Sequence, residues 1–244
     1  MSYIKNPKID GSGIVACIPQ TGDCPYNCPD CFFQSGRSYL EPLKENLPNL
    51  PNPQGFTHQI VRVNDGNDSS HHKEDVLHAT RIYKHKFFNT SKVTDLEGFN
   101  DPVVLTVNPG KNTDRKAHFL DVIPKNLMYV RFRTNTWNLE LAREVIAYYN
   151  MRDVPVVLTF LAYFDEAVPK EHVANYMFRK RTLNAYWAIT TDAWREVIRE
   201  FEDNLLVSSC GKIEGERGKT SCRYCGVCLR EYFATMERLY PWKG

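Results

Sequence analysis

The chain has 244 residues, of which 42% are hydrophobic and 25% charged, and its formal net charge is +2. This composition is ordinary for a globular protein, and so small a net charge argues against nucleic acid or a membrane as an obligatory partner. No apolar run approaches the roughly 18 to 20 residues that span a bilayer, so we expect a cytoplasmic protein.

Short segments rich in β-branched or aromatic residues, each bounded by Gly, Pro, Asn or Asp, predict six strands. They cover residues 13–19, 59–64, 102–108, 127–133, 154–161 and 205–209. Helix-like spacing of apolar residues marks the segments 73–88, 112–123, 138–150, 169–183 and 192–204. Strands that alternate with helices predict an α/β fold with a parallel sheet. A partial (β/α)6 barrel of the TIM type fits this pattern, and an open doubly wound sheet is the alternative.

Three cysteines, Cys24, Cys28 and Cys31, follow the first predicted strand with the spacing CxxxCxxC. Three thiolates this close together can hold three irons of a cubane [4Fe-4S] cluster and leave the fourth iron without a protein ligand. A vacant iron can bind a substrate or a cofactor. The spacing by itself also permits a zinc site.

A CxxxCxxC loop after the first strand of such a chain resembles the radical S-adenosylmethionine (SAM) superfamily. The resemblance implies that SAM chelates the vacant iron and that one electron splits it into methionine and a 5'-deoxyadenosyl radical, which abstracts hydrogen from a substrate. It also implies an electron donor of the flavodoxin or ferredoxin type. Many members carry an aromatic residue just before the third cysteine, at the adenine; this chain has Asp30 there, with Phe32 or Tyr26 as substitutes.

The resemblance further implies that SAM is bound at the carboxyl ends of the strands. Where members carry a Gly-Gly-Glu motif for the SAM amino group, this chain has Asn64, Asp65, Gly66, Asn67 and Asp68. Either aspartate would accept hydrogen bonds from an ammonium, although the same residues are also typical of a plain Asx-rich turn. The other candidates for SAM contacts at strand ends are Asn108, Arg133, Asn135 and Tyr163.

Arg131 shares one face of the fourth predicted strand with Arg133, because strand side chains alternate. Two arginines on a buried strand indicate an anion or acidic partners. SAM carboxylate and a substrate phosphate or carboxylate are both candidates, and we predict that Arg131 or nearby residues bind an anionic group of the substrate.

Four further cysteines form a second group, Cys210, Cys222, Cys225 and Cys228. Four thiolates fully ligate either a second [4Fe-4S] cluster or a structural zinc, and the CxxCxxC run is more typical of iron-sulfur proteins. We therefore predict a barrel over residues 1–209 and a cluster-binding extension over 210–244, which resembles a shortened twitch or SPASM extension. Cys210 follows the last strand, so we expect this site at the same barrel end as the first, with a helix over 228–240 covering or flanking the mouth.

These features predict a radical SAM enzyme with an auxiliary cluster. Its substrate would be a small anionic metabolite or nucleotide, with modification of a peptide or activation of a glycyl-radical enzyme as alternatives. A protein of another class, with two structural zinc sites and basic residues that engage nucleic acid, is the competing hypothesis. The strand pattern and the modest charge favour the enzyme.

Overall fold

The computed structural model describes residues 2–22, 24–26, 39, 41–109, 115–160, 162–163, 168–180, 185–210 and 222–241. In them, a mixed α/β fold is built on a curled parallel sheet of seven strands, a half-barrel. Its strands, in spatial order, are β1 (Ile14–Cys17), β2 (Ile60–Val63), β3 (Lys86–Thr90), β4 (Val103–Val107), β5 (Leu127–Thr134), β6 (Val156–Phe160) and β10 (Val207–Cys210). The sheet order therefore follows the chain order.

A second, antiparallel sheet has the strand order β7-β9-β8, with β7 (Ala162–Tyr163), β8 (Tyr176–Arg179) and β9 (Tyr186–Ile189). The α-helices of the described residues are α1 (Glu41–Asn46), α2 (Lys73–Thr80), α3 (Leu139–Asn150), α4 (Thr191–Arg199), α5 (Cys222–Cys225) and α6 (Val227–Leu239). Short 3₁₀ turns cover Pro53–Gly55, Glu97–Phe99, Arg115–His118 and Lys170–Asn175. None of these helices has both the length and the apolar character needed to cross a membrane.

Both faces of the large sheet are covered, which explains why its strands are almost continuously apolar. The outer face packs against the crossover helices, as where Phe132 and Leu158 meet Val145 and Tyr149 of α3. The inner face of the half-barrel is the opposite one, since crossover helices lie outside a barrel. It packs against α6 through a separate core that contains Ile14, Phe87, Val104, Val157 and Tyr232.

Helix α6 lies on the inner face and not at the mouth, where we had expected it. Its C-terminal part reaches the amino ends of the strands: Arg238 donates to the Leu127 carbonyl at 2.7 Å, and the Tyr232 hydroxyl lies 3.4 Å from His85 Nδ1. The physical reason is the apolar inner face, which needs a cover that the crossover helices on the other side cannot provide.

The sheet has seven strands and not the predicted six, because the predicted helix 73–88 ends early. Helix α2 stops at Thr80, and the following Lys86–Thr90 segment forms β3 between β2 and β4. In a strand, consecutive side chains point to opposite faces. Phe87 and Phe88 are therefore both fully buried, one in the inner core and the other in the outer core.

The other helix predictions have mixed outcomes. Helix 138–150 is confirmed by α3. Helix 192–204 is confirmed over the shorter span of α4. Thr190 caps the start of α4, where its side chain accepts a 3.3 Å hydrogen bond from Ala193 N. The prediction for 169–183 is wrong, because a 3₁₀ turn there leads directly into β8. In 112–123, residues 112–114 lie outside the described part, and a short 3₁₀ turn covers 115–118. The division of the chain at residue 210 stays a prediction.

Candidate functional site

The start of the CxxxCxxC loop lies against the turn after β2. Gln20 Nε2 donates to the backbone oxygens of Asp68 and His71, both at 2.8 Å. The Tyr26 ring is centred 6.3 Å from the His71 ring, and the Lys92 ammonium lies 4.2 Å from the centre of the Tyr26 ring. Residues on both sides of Cys24 thus contact the predicted SAM-binding turn or the segment that follows it, whereas Cys28, Cys31 and Phe32 lie outside the described residues.

The turn itself begins at Asn64, whose φ of 62° lies in the left-handed region that Asn tolerates better than most residues. The Asn64 side chain is buried, and its Nδ2 donates to Ser69 Oγ at 2.9 Å. Within the described residues, Asn64 Oδ1 and Asn67 Nδ2 are buried without a hydrogen-bond partner. A buried acceptor and a buried donor without partners indicate a polar ligand, since leaving such groups unpaired is costly.

The two aspartates of the turn have different environments. Asp65 forms an ion pair with Arg62 and accepts a hydrogen bond from Asn6. Asp68 accepts four hydrogen bonds at 2.6 to 2.9 Å, from Ser70 N, Thr90 Oγ1, Ser91 N and Ser91 Oγ. Because a carboxylate offers about four acceptor positions, Asp68 is saturated and connects the β2 turn to the end of β3, while Asp65 keeps capacity for a further donor.

The end of β5 holds two of the predicted SAM contacts. Arg133 and Asn135 are both buried, with exposed fractions of 8% and 5%. Asn135 Oδ1 accepts a 2.8 Å hydrogen bond from Trp137 N, and Asn138 Nδ2 donates to the Arg133 carbonyl at 3.0 Å. These bonds fix the backbone between β5 and α3.

The remaining predicted contacts come from two other strand ends. Asn108 follows β4 directly and is partly buried. Tyr163 is 4% exposed, and its ring packs in an aromatic core at the small sheet, 4.9 Å from Trp137 and 5.7 Å from Tyr176 between ring centres. The structure therefore places Tyr163 in a hydrophobic core and not on an open polar surface.

The second cysteine group converges on the inner face of the half-barrel. One cavity is lined by the four thiols together with three polar side chains of the strands: Cys210, Cys222, Cys225, Cys228, Arg62, Tyr129 and Arg131. The described part of the chain contains no group of three or more His, Cys, Asp or Glu side chains arranged to hold a metal ion. Four thiols are a donor set that either a [4Fe-4S] cluster or a zinc ion could take.

Two arginines oppose the effect of burial on these thiols. Burial raises the pKa of Cys210 to about 12, and the nearby Arg131 acts in the opposite direction. Burial likewise raises the pKa of Cys222, with Arg62 opposing it. Metal ligation requires the thiolate form, so the positive charges of both arginines favour the state that binds metal.

The sequence indicated the cysteines but not the polar residues that surround the second group. Tyr129 precedes Arg131 by two residues and so shares its face, a signal we overlooked; Arg62 is a charged residue within an apolar strand. Asn89 had no recognisable signal, because it directly follows the segment 73–88 that was assigned to a helix. Arg131 donates to Asn89 and Tyr129 beside the second cysteine group, and its contact with a substrate anion stays a prediction.

Comparison of the chain with protein-family models, with curated proteins and with solved structures finds no match. The functional proposal therefore rests on the residues of the two cysteine sites.

Proposed function

We propose that the protein is a radical SAM enzyme whose half-barrel is a partial TIM-type (β/α) barrel. Cys24, Cys28 and Cys31 would hold the [4Fe-4S] cluster that binds SAM. The supporting observation is that the start of their loop lies against the polar 64–68 turn, at the carboxyl ends of β1 and β2. Active sites of α/β barrels are built at this end. When bound, the cluster supplies one electron to SAM, which yields a 5'-deoxyadenosyl radical.

The turn after β2 offers the groups that a SAM ammonium needs. Asn64 Oδ1 is a buried acceptor with no partner in the described residues, and Asp65 adds a negative charge with remaining acceptor capacity. We assign the amino group of SAM to these two residues. Arg133 and Asn135, at the end of β5, are our candidates for the SAM carboxylate and ribose. The SAM contacts predicted for five other residues stay hypotheses: Gly66, Asn67, Asn108, Tyr163 and Phe32. Asp68 supports the turn.

The C-terminal cysteines are proposed to hold an auxiliary [4Fe-4S] cluster that assists redox chemistry. Their shared cavity and two neighbouring arginines support thiolate ligation of a metal centre, and the CxxCxxC spacing favours a cluster over zinc. The first electron would come from a flavodoxin- or ferredoxin-type donor. The substrate classes we propose are a compact anionic molecule and, as the alternative, a peptide.

Anaerobic reconstitution tests this proposal through iron content and the electron paramagnetic resonance (EPR) spectrum. We expect about eight irons per chain in the wild type and about four in a Cys24→Ala, Cys28→Ala, Cys31→Ala variant. Addition of SAM should perturb the EPR spectrum of the reduced wild type and leave that of the variant unchanged. Cys17→Ala is the matched control, because Cys17 is fully buried in the outer core; its iron content should equal that of the wild type. Colourless protein with zinc alone would contradict the proposal.

A further inference from the structure

A directed chain of hydrogen bonds leads from β2 to the sulfur of Cys228. Asn89 Nδ2 donates to the Val63 carbonyl at 2.9 Å, which orients its Oδ1 to accept from Arg131 Nη1 at 3.2 Å. Arg131 Nη2 donates to the Tyr129 hydroxyl oxygen at 3.1 Å, and this oxygen lies 3.2 Å from Cys228 Sγ. Because a guanidinium can only donate, the Tyr129 oxygen accepts from Arg131. A Cys228 thiolate has no proton to donate, so in the metal-bound form the Tyr129 hydroxyl would be the donor to the sulfur.

Within the described residues, Arg131 is the positive charge at this cavity that no carboxylate balances. The other arginine there, Arg62, is paired with Asp65, whereas Arg131 makes its hydrogen bonds to two neutral side chains among the residues described. A guanidinium removed from water requires a nearby anion to be stable. Four cysteine thiolates around a metal centre would supply that negative charge.

Further donors on the same face also lack acceptors. In the described part of the structure, Arg62 Nε and Thr159 Oγ1 are buried without a hydrogen-bond partner. Thr159 is the register partner of Cys210 in the β6–β10 pair, and Arg62 lines the cavity. The surroundings of the four cysteines are therefore rich in donors and positive charge.

We propose that Arg131 and Tyr129 raise the reduction potential of the iron-sulfur centre at the C-terminal cysteines, Arg131 as a countercharge and Tyr129 as a hydrogen-bond donor to the Cys228 sulfur. This inference rests on the proposed function. Reduction adds one negative charge to the centre, so a nearby positive charge and a hydrogen bond to sulfur both stabilise the reduced form. Both residues act through a ligand and are positioning residues.

A redox titration followed by EPR tests the inference without reference to activity. The full chain with Cys24→Ala, Cys28→Ala and Cys31→Ala leaves the C-terminal centre as the one observed. In this background, Arg131→Gln should lower the reduction equilibrium constant at least tenfold, which is about 59 mV for one electron. Tyr129→Phe should shift it in the same direction. Arg131→Lys retains the charge, so its midpoint potential should lie between those of Arg131→Gln and the parent.

Arg143→Gln is the matched control, since Arg143 on α3 carries the same charge in an exposed ion pair with Glu200, and this variant should leave the midpoint unchanged. An intact centre with unchanged midpoints in both Arg131→Gln and Tyr129→Phe would overturn this inference and leave the proposed function standing. If Arg131→Gln fails to bind iron, the midpoint potential of Tyr129→Phe decides the test, because this variant removes a single hydroxyl. A parent that binds zinc in place of iron would overturn both.

Discussion

Arg62 forms an ion pair with Asp65, and the same guanidinium lies beside the C-terminal cysteines. Burial lowers the pKa of Arg62, but Asp65 and the thiols of Cys228 and Cys222 raise it, and the net shift is upward. Arg62 therefore stands between the turn proposed to bind SAM and the proposed auxiliary centre. The two candidate sites share one buried charge pair.

Breaking this pair should cost stability. The side chains of Arg62 and Asp65 are only 13% and 9% exposed, so Arg62→Gln leaves a buried carboxylate without its partner. We expect the free energy of unfolding to fall by about 3 to 5 kcal/mol. Urea denaturation of Arg62→Gln, Asp65→Asn and the double variant measures the coupling between the two side chains.

The exposed pair of Arg143 and Glu200 is the control for that cycle. Its side chains are 52% and 31% exposed, and it should contribute about 0 to 1 kcal/mol. Equal effects of Arg62→Gln and Arg143→Gln on unfolding would show that the Arg62 pair is not buried as described.

Much of the fold follows from local patterns, and β3 shows where they fail. Helix α3 has strong apolar spacing and was predicted to within a residue. The segment from Lys73 to Phe88 carries no Gly or Pro, so nothing in it marks the end of α2 at Thr80. Lys86–Thr90 forms a strand because it pairs with both β2 and β4 and because apolar cores cover both of its faces. These interactions come from the assembled sheet and not from the segment itself.

Asn64 should matter for SAM binding through its amide. Asn64→Gly keeps the left-handed backbone accessible and removes the buried Oδ1 that has no partner in the described residues. We expect the dissociation constant for SAM to rise about tenfold, the effect of one hydrogen bond to a charged group. Equilibrium dialysis of reconstituted protein against labelled SAM measures it.

Asn100 provides a close control for this substitution. It also has a left-handed φ, of 56°, but caps a 3₁₀ turn between β3 and β4. Asn100→Gly should bind SAM as the wild type does. If both variants bind SAM with unchanged affinity, the role assigned to Asn64 is wrong.

The packing of α6 predicts a loss of stability at high pH. Burial raises the pKa of Tyr232 from 10.0 to about 12. A folded-state pKa above the unfolded value gives stability that is complete below pH 10 and is lost as the pH rises through 12. Between these values, the wild type should lose roughly 1 to 2 kcal/mol more than Tyr232→Phe, measured by chemical denaturation at each pH.

Tyr224→Phe is the control, because Tyr224 on α5 is 61% exposed. Its free energy of unfolding should vary with pH as that of the wild type does. A wild-type curve parallel to that of Tyr232→Phe would mean that α6 does not bury Tyr232 against the inner face.

The sequence alone indicates the candidate ligands of the site but not the residues that surround them. Cysteine spacing within a short segment is visible in the sequence, and so are the polar residues that follow β2. The contact between Tyr129 and Cys228 joins residues 99 positions apart, and Asn89 reaches Arg131 across 42 positions. Such contacts depend on strand register and on the placement of α6, which no local pattern encodes.

We propose that this chain cleaves SAM by one-electron reduction at Cys24, Cys28 and Cys31. Chromatographic measurement of 5'-deoxyadenosine, after anaerobic incubation of reconstituted protein with SAM and dithionite, is the decisive experiment. We predict release that requires dithionite, persists in Cys17→Ala and is abolished when the three cysteines are replaced by alanine. Release equal to the background in fully iron-loaded wild-type protein, or equal release from the triple variant, would contradict the claim.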